Sequence, residues 1–169
     1  ALLTLDRPRY EDLVRRAAGA NPAAAADGPL LDELSARLLD FGARIVVLKL
    51  GDQGLYLRTG DRGESLACGP LASDAPSWQN RQLAAPCFDV PVVGATGSGD
   101  TTIAGFLAGM LKGLSPEETL LSAVAVGACN VQSADATSGI PAWDEVQARM
   151  RQWGPKAVQM QLDGWRRDQ

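Results

Sequence analysis

The 169 residues contain no histidine. That absence removes imidazole general bases, Ser-His-Asp and Cys-His nucleophile systems, and every zinc site that needs a His ligand. Acid–base chemistry in this chain falls to carboxylate, Lys, Tyr or Cys. Cysteine is scarce as well: Cys68, Cys87 and Cys129 are far apart and odd in number, without the CxxC spacing of a metal or redox site. Free thiols in a reducing compartment are the expectation. There is no basic excess, because sixteen Lys and Arg stand against twenty Asp and Glu for a net charge of −4. A nucleic acid or anionic membrane partner is therefore not expected. No apolar run approaches the length of a membrane span, and the N-terminus lacks the basic-then-apolar order of a signal peptide, so a cytoplasmic location is expected.

What is present fits one globular domain. Apolar residues make up 46% and charged residues 21%, with no internal repeat or charge block. The chain opens at Ala1 without an initiator Met and already on the approach to a helix, so it is expected to be a piece of a longer protein. Pro8 near the start and Gly19 past the end predict a helix over residues 8–18. Leu30, Leu31, Leu34, Leu38, Leu39 and Phe41 recur at helical spacing and stop at Gly42, predicting a second helix. The period then changes. Residues 45–50, IVVLKL, read as a buried strand, and residues 54–58 read as its hairpin partner across the turn Gly51-Asp52-Gln53-Gly54, with a further turn at 59–63.

Residues 69–87 read as loop with an edge strand around 81–84. Ile103, Phe106, Leu107, Met110 and Leu111 form one helical face ended by Gly113. Ser115-Pro116-Glu117-Glu118 is a helix start, with Ser as N-cap, Pro next and Glu at the third position, and this helix is expected to run to about Gln132. A loop ending at Pro141, a short helix over 143–150 and an aperiodic tail from Trp153 complete the chain.

Between strand and helix stands GATGSGD, residues 94–100. The plain account is a strand-to-helix turn with Asp100 in the first helical turn, favoured there by the macrodipole. The alternative starts from the unpaired N–H groups of a helix start. Glycines let those donors converge, so Gly97, Ser98 and Gly99 would form an anion cup. A carboxylate beside an anion site repels the ligand unless it has a task, and taking a proton from an attacking hydroxyl is such a task. Other motif readings fail: no Lys follows the last glycine as a P-loop requires, and Ser98 is flanked directly by glycines with no His to serve it.

The run T-G-S-G-D followed by TTIAGFLAGMLKG resembles the second signature of the ribokinase-like, or PfkB-type, carbohydrate kinases. GARIVVLKLGDQGLYL before it and LSPEETLLSAVAVGACNVQSADATSGIP after it are similar to the family's flanking elements, in the same order. The resemblance covers residues 1–150, leaving 151–169 as a tail, and implies an α/β fold: a three-layer αβα sandwich of which this chain would be the C-terminal, nucleotide-side part. It implies an ATP-dependent phosphotransferase acting with Mg²⁺ on a hydroxyl of a sugar or sugar-like small molecule. Asp100 would be the base, and the amides of Gly97, Ser98 and Gly99 would hold the phosphoryl oxygens. Lys49, Gly51, Asp52 and Gly54 fall on the nucleotide-side turn, although a solvated strand-end charge is the plain alternative for Lys49. Val124 and Gly127 align with the wall of the adenine pocket, where ordinary helix packing is the alternative.

Two departures accompany the resemblance. Gly94-Ala95 replaces an Asp-Thr on which the family's monovalent-cation site is partly built, while the loop with Asn130, Ser133, Asp135 and Gly139 matches the other side of that site. An NxxE magnesium and phosphate motif and the sugar-contacting half have no counterpart in these residues. The missing N-terminal half is also where a homodimer contact would lie. The fragment alone is therefore not expected to be fully competent. A non-catalytic nucleotide- or sugar-binding module derived from the kinase fold is the alternative function.

Overall fold

The change of hydrophobic period at residue 45 divides a helical entry from a small sheet, on one face of which two later helices pack. The computed structural model describes residues 7–17, 19, 22–61 and 75–160. Cys68, the end of the turn at 59–63 and the last residues of the tail lie outside the described residues. Helix α1 spans Arg7–Ala17 and α2 spans Gly28–Asp40. Asp27 caps α2 by accepting from the Leu30 amide at 2.9 Å, with Pro29 in the first turn.

Strands β1 (Ile45–Lys49), β2 (Leu55–Thr59) and β3 (Gln82–Ala85) form one antiparallel sheet in the order β1-β2-β3. Register pairs Val47 with Leu57 and Leu57 with Leu83. A single 3₁₀ turn over Gly51–Gln53 joins β1 to β2. Gly54 follows it with φ of 109°, and a Cβ there would meet the Ala85 carbonyl oxygen at 2.0 Å. Only glycine permits this turn to close onto the end of β3.

Helix α3 spans Ser98–Leu111, α4 spans Pro116–Asn130 and α5 spans Trp143–Met150. The capping box predicted at the start of α4 is formed: Ser115 accepts from the Glu118 amide, and Glu118 accepts from the Ser115 amide at 3.1 Å. The helix stops two residues short of the expected Gln132. The Asn130 side chain turns away to donate to the Ala136 carbonyl at 2.6 Å and opens the following loop.

Strand alternation explains the three layers. Val46, Leu48 and Tyr56 face α2, packing with Leu30, Leu31 and Leu34. Leu55, Leu57 and Ala85 face the other way, onto Phe106 of α3 and Leu120, Ala123 and Val124 of α4. Tyr56 keeps its hydroxyl satisfied under α2 by a 2.9 Å bond with buried Ser35. Leu57 is fully buried, so cutting it to Ala would cost about 2–5 kcal/mol.

Beyond α5 the chain turns back over the sheet. Asp89 donates to the Gly154 carbonyl at 2.9 Å, and Lys156 donates to the Cys87 carbonyl at 2.7 Å. Trp153 stacks obliquely on Phe88, and Met160 joins the cluster beneath α2. Among the described residues no helix is long and apolar enough to cross a membrane.

Candidate active site

The start of α3 is shaped by Gly97, which takes a left-handed φ of 76° and serves as the N-cap. A side chain could not be accommodated there: its Cβ would lie 2.9 Å from the Ala136 Cβ and 3.0 Å from the Ala136 carbonyl oxygen. The turn closes with Ser98 donating to the Ala95 carbonyl at 3.2 Å and with Asp100 and Thr101 both donating to the Gly97 carbonyl. Among the described residues, the Gly97 and Gly99 amides have no protein acceptor. They are donors left over at a helix start, where the dipole favours an anion.

Asp100 follows directly, its side chain 95% exposed. Lys49, the last residue of β1, reaches across to the same place. Its ammonium lies 4.0 Å from the Asp100 carboxylate, and the missing side chain of Gly99 leaves the room it occupies, since a Cβ there would be 2.8 Å from the Lys49 Nζ. A strand end and a helix start thus bring an ammonium, free amides and an accessible carboxylate together.

A cleft of about 340 Å³ opens beside them. Gly51, Asp52 and Gly54 of the hairpin turn form one wall, Val124 and Gly127 of α4 the other, and Lys49, Ser98 and Gly99 one end. Gly127 allows α3 to press close, as a Cβ there would meet the Thr102 hydroxyl at 2.3 Å while that hydroxyl donates to the Ser98 carbonyl at 2.7 Å. The structure therefore gathers every residue assigned to the nucleotide side around one cavity. Asn130, Ser133, Asp135 and Gly139 do not line it.

Sequence reasoning missed part of the lining. Phe88, Asp89, Val90 and Val92 supply a third side, and Lys156 closes the lip with its ammonium 3.6 Å from the Asp52 carboxylate. Neither stretch has a periodicity to read; the cluster of apolar residues in CFDVPVV is the one available signal. Cys87 also borders the cleft, with Sγ 3.4 Å from the Gly51 carbonyl. Burial pushes its thiol above the ordinary range, the Lys156 ammonium opposes this, and the Asp52 carboxylate adds to it.

The loop behind the cup is tied internally. Asp135 accepts from the Thr137 and Ser138 amides at 2.9 and 2.7 Å and from the Ser138 hydroxyl at 2.5 Å. These bonds, the hydroxyl first, hold its carboxyl down to about 2. At Gly94 the loop backbone fills the space a side chain would need, with a Cβ 2.9 Å from the Ser133 carbonyl oxygen, so the Asp-Thr side of the cation site implied by the resemblance has no counterpart there.

Comparison with known proteins places this geometry. A family model described as pfkB family carbohydrate kinase matches residues 23–143. The chain belongs to that family. The ATP-dependent 6-phosphofructokinase of Thermoanaerobacterium thermosaccharolyticum is 28% identical over 112 residues, which cover 66% of this chain and 29% of that protein. Among solved structures, the ribokinase of Thermotoga maritima matches with a TM-score of 0.54 and 28% identity, over 70% of this chain and 34% of that one. The Arabidopsis thaliana ribokinase complexed with ribose and ATP matches with a TM-score of 0.60 and 24% identity, over 75% of this chain and 35% of that one. The fold is accordingly a ribokinase-like α/β sandwich present in part, and the chain spans about a third of the length of the curated relatives it matches.

Proposed function

We propose that this chain forms the nucleotide-side part of a kinase that transfers the γ-phosphoryl group of ATP to a hydroxyl of a sugar or sugar-like small molecule. The observation that carries the reading is the convergence of Lys49, the free Gly97 and Gly99 amides and exposed Asp100, with Lys49 and Gly99 lining one end of the cleft. The cleft and cup fit a nucleotide. The Lys49 ammonium sits in the space that a Gly99 Cβ would fill, next to the free amides, and the α4 wall of Val124 and Gly127 offers an apolar surface for a base.

ATP, accompanied by Mg²⁺, would supply the phosphoryl group and the metal's countercharge. Among the described residues no group of three acidic or thiol side chains could cage a metal. A Mg²⁺ held mostly by phosphate oxygens and water needs no such cage. The Gly97 and Gly99 amides would orient the transferring group and stabilise its equatorial oxygens, while the Ser98 amide donates to the Ala95 carbonyl of the same turn. Lys49 would neutralise charge developing there. Asp100 would take the proton from the acceptor hydroxyl, and its exposure leaves the approach to that hydroxyl open. The rest of the acceptor site would come from a complementary part with the remaining two thirds of a relative's length, so this piece alone would turn over poorly.

Titration calorimetry with ATP–Mg tests the reading. Binding that weakens when Lys49 is replaced by Ala supports it, and absence of any heat with either ATP or ADP overturns it.

A further inference from the structure

We infer that Gln53 is a positioning residue for the nucleotide-side turn: by gripping the returning tail at Gln159 it sets where Gly51, Asp52 and Gly54 stand in the cleft wall, although Gln53 itself does not line the cleft. The functional consequence rests on the reading of the cleft as a nucleotide site. The tie between turn and tail stands on contacts alone.

The turn needs an outside support. Gly51 and Gly54 both take positive φ, 62° and 109°, and glycine restrains a backbone least. The Leu50 amide closes the base of the turn on the Gly54 carbonyl at 2.9 Å, but the bend beyond it is held by two longer bonds, Gln53 amide to Leu50 carbonyl and Gly54 amide to Gly51 carbonyl, each 3.2 Å. Asp52 points its carboxylate outward at the lip of the cleft, and the side chain that enters the protein from this bend is that of Gln53, 2% exposed.

Packing alone does not account for a glutamine there. Its Oε1 accepts from the Gln159 amide at 2.8 Å, while its buried Nε2 has no hydrogen-bond partner among the described residues. An unpaired buried donor typically costs more than one neutral hydrogen bond returns, so Met or Leu would serve better as filler. What the side-chain amide adds, and an apolar residue cannot, is the bond to the tail.

The tail is an anchor because it is fastened on both sides of Gln159. Before it, the Asp89 amide donates to the Gly154 carbonyl, the Lys156 amide donates to the Cys87 carbonyl, and the Trp153 ring lies 5.7 Å from that of Phe88. After it, Met160 is buried with Leu48, Leu50 and Tyr56. Phe88 and Asp89 belong to one side of the cleft and the Gly51–Gln53 turn to another, so the tail joins the two at their outer edge. The Gln53 bond passes the fixity of that joint to the turn.

Amide hydrogen exchange and ATP–Mg calorimetry on the full chain test the inference. Gln53→Met keeps the volume and removes the acceptor, Gln159→Pro removes the donated amide without touching a cleft residue, and Gln159→Ala keeps that amide as the control. Gln53→Met should speed exchange of the Gln159 amide about tenfold or more, and Gln159→Pro should do the same to the Gln53 and Gly54 amides. Both should weaken ATP–Mg binding about tenfold, the double variant should be no weaker than either single one, and Gln159→Ala should match wild type throughout. A merely structural role would lower the melting temperature and leave the Kd of the folded protein unchanged; that result, or unchanged exchange in the turn of Gln159→Pro, overturns the inference. Should Gln53→Met not fold, Gln159→Pro against Gln159→Ala decides alone. Failure of wild type to bind ATP sinks the kinase reading, while exchange in the turn still decides whether the tail positions it.

Discussion

The Lys49 ammonium at the end of β1 lies 4.0 Å from the Asp100 carboxylate at the start of α3. Both groups are solvent-accessible, so the pair itself contributes about 0–1 kcal/mol to folding. Its worth lies in what enters between them. Lys49→Ala should leave the melting temperature nearly unchanged yet weaken ATP–Mg binding about 10- to 150-fold, in line with the roughly 1.5–3 kcal/mol of a charge-assisted hydrogen bond. Lys49→Arg should restore only part of the affinity, since a planar fork does not fit a gap shaped for a compact ammonium.

Asp100 should separate turnover from binding. With the carboxylate replaced in Asp100→Asn, phosphoryl transfer to an acceptor hydroxyl should fall by about 10²–10⁴ as the base is lost. ATP affinity should hold or improve, because a negative charge beside the cup has gone. Steady-state kinetics and calorimetry on one preparation make the comparison. Unchanged turnover in a preparation that carries the complementary acceptor part would remove Asp100 from the chemistry, and nucleotide binding with no transfer in that same preparation would favour a binding module.

Part of this arrangement is legible in the sequence. The switch to β-branched residues at 45–47 predicts β1, the Ser115–Glu118 spacing predicts the capping box, and GATGSGD marks a helix start with spare donors, although residues 89–93 just before it form no strand. Those features are local, set by a few neighbouring residues. The rest depends on contacts between distant segments. Nothing near Lys49 says that Gly99 leaves room for its ammonium, and nothing in the aperiodic stretch after Trp153 says that Lys156 returns to the cleft. Asp135 shows the same limit: nothing in its spacing says that its carboxylate accepts from the Thr137 and Ser138 amides of its own turn.

Two glycines beside the cleft should respond differently to Ala. At Gly54 the new Cβ would strike the Ala85 carbonyl at 2.0 Å with φ at 109°, so both space and conformation oppose it. Gly54→Ala should cost about 2–4 kcal/mol and detach β3 from the turn. At Gly99 the obstacle is the mobile end of Lys49, and the position is helical. Gly99→Ala should therefore change stability by less than about 1 kcal/mol while pushing the ammonium aside and weakening ATP–Mg binding. Urea unfolding and calorimetry on the two variants distinguish the cases.

Cys87 reports on occupancy of the same cleft. Its thiol is raised above the ordinary range chiefly by burial, so less of it is thiolate near neutral pH than in a free cysteine. Alkylation by iodoacetamide should be slow at pH 7 and climb as pH rises through that elevated value. Lys156→Ala should slow it further at a given pH, because the ammonium that favours the thiolate is gone. ATP filling the cleft should protect Cys87, whereas buried Cys129 on α4 should be indifferent to nucleotide. Mass spectrometry resolved by residue measures each rate. Labelling of Cys87 that is fast at pH 7 and unaffected by ATP would mean that neither the burial of this thiol nor the cleft beside it governs its chemistry.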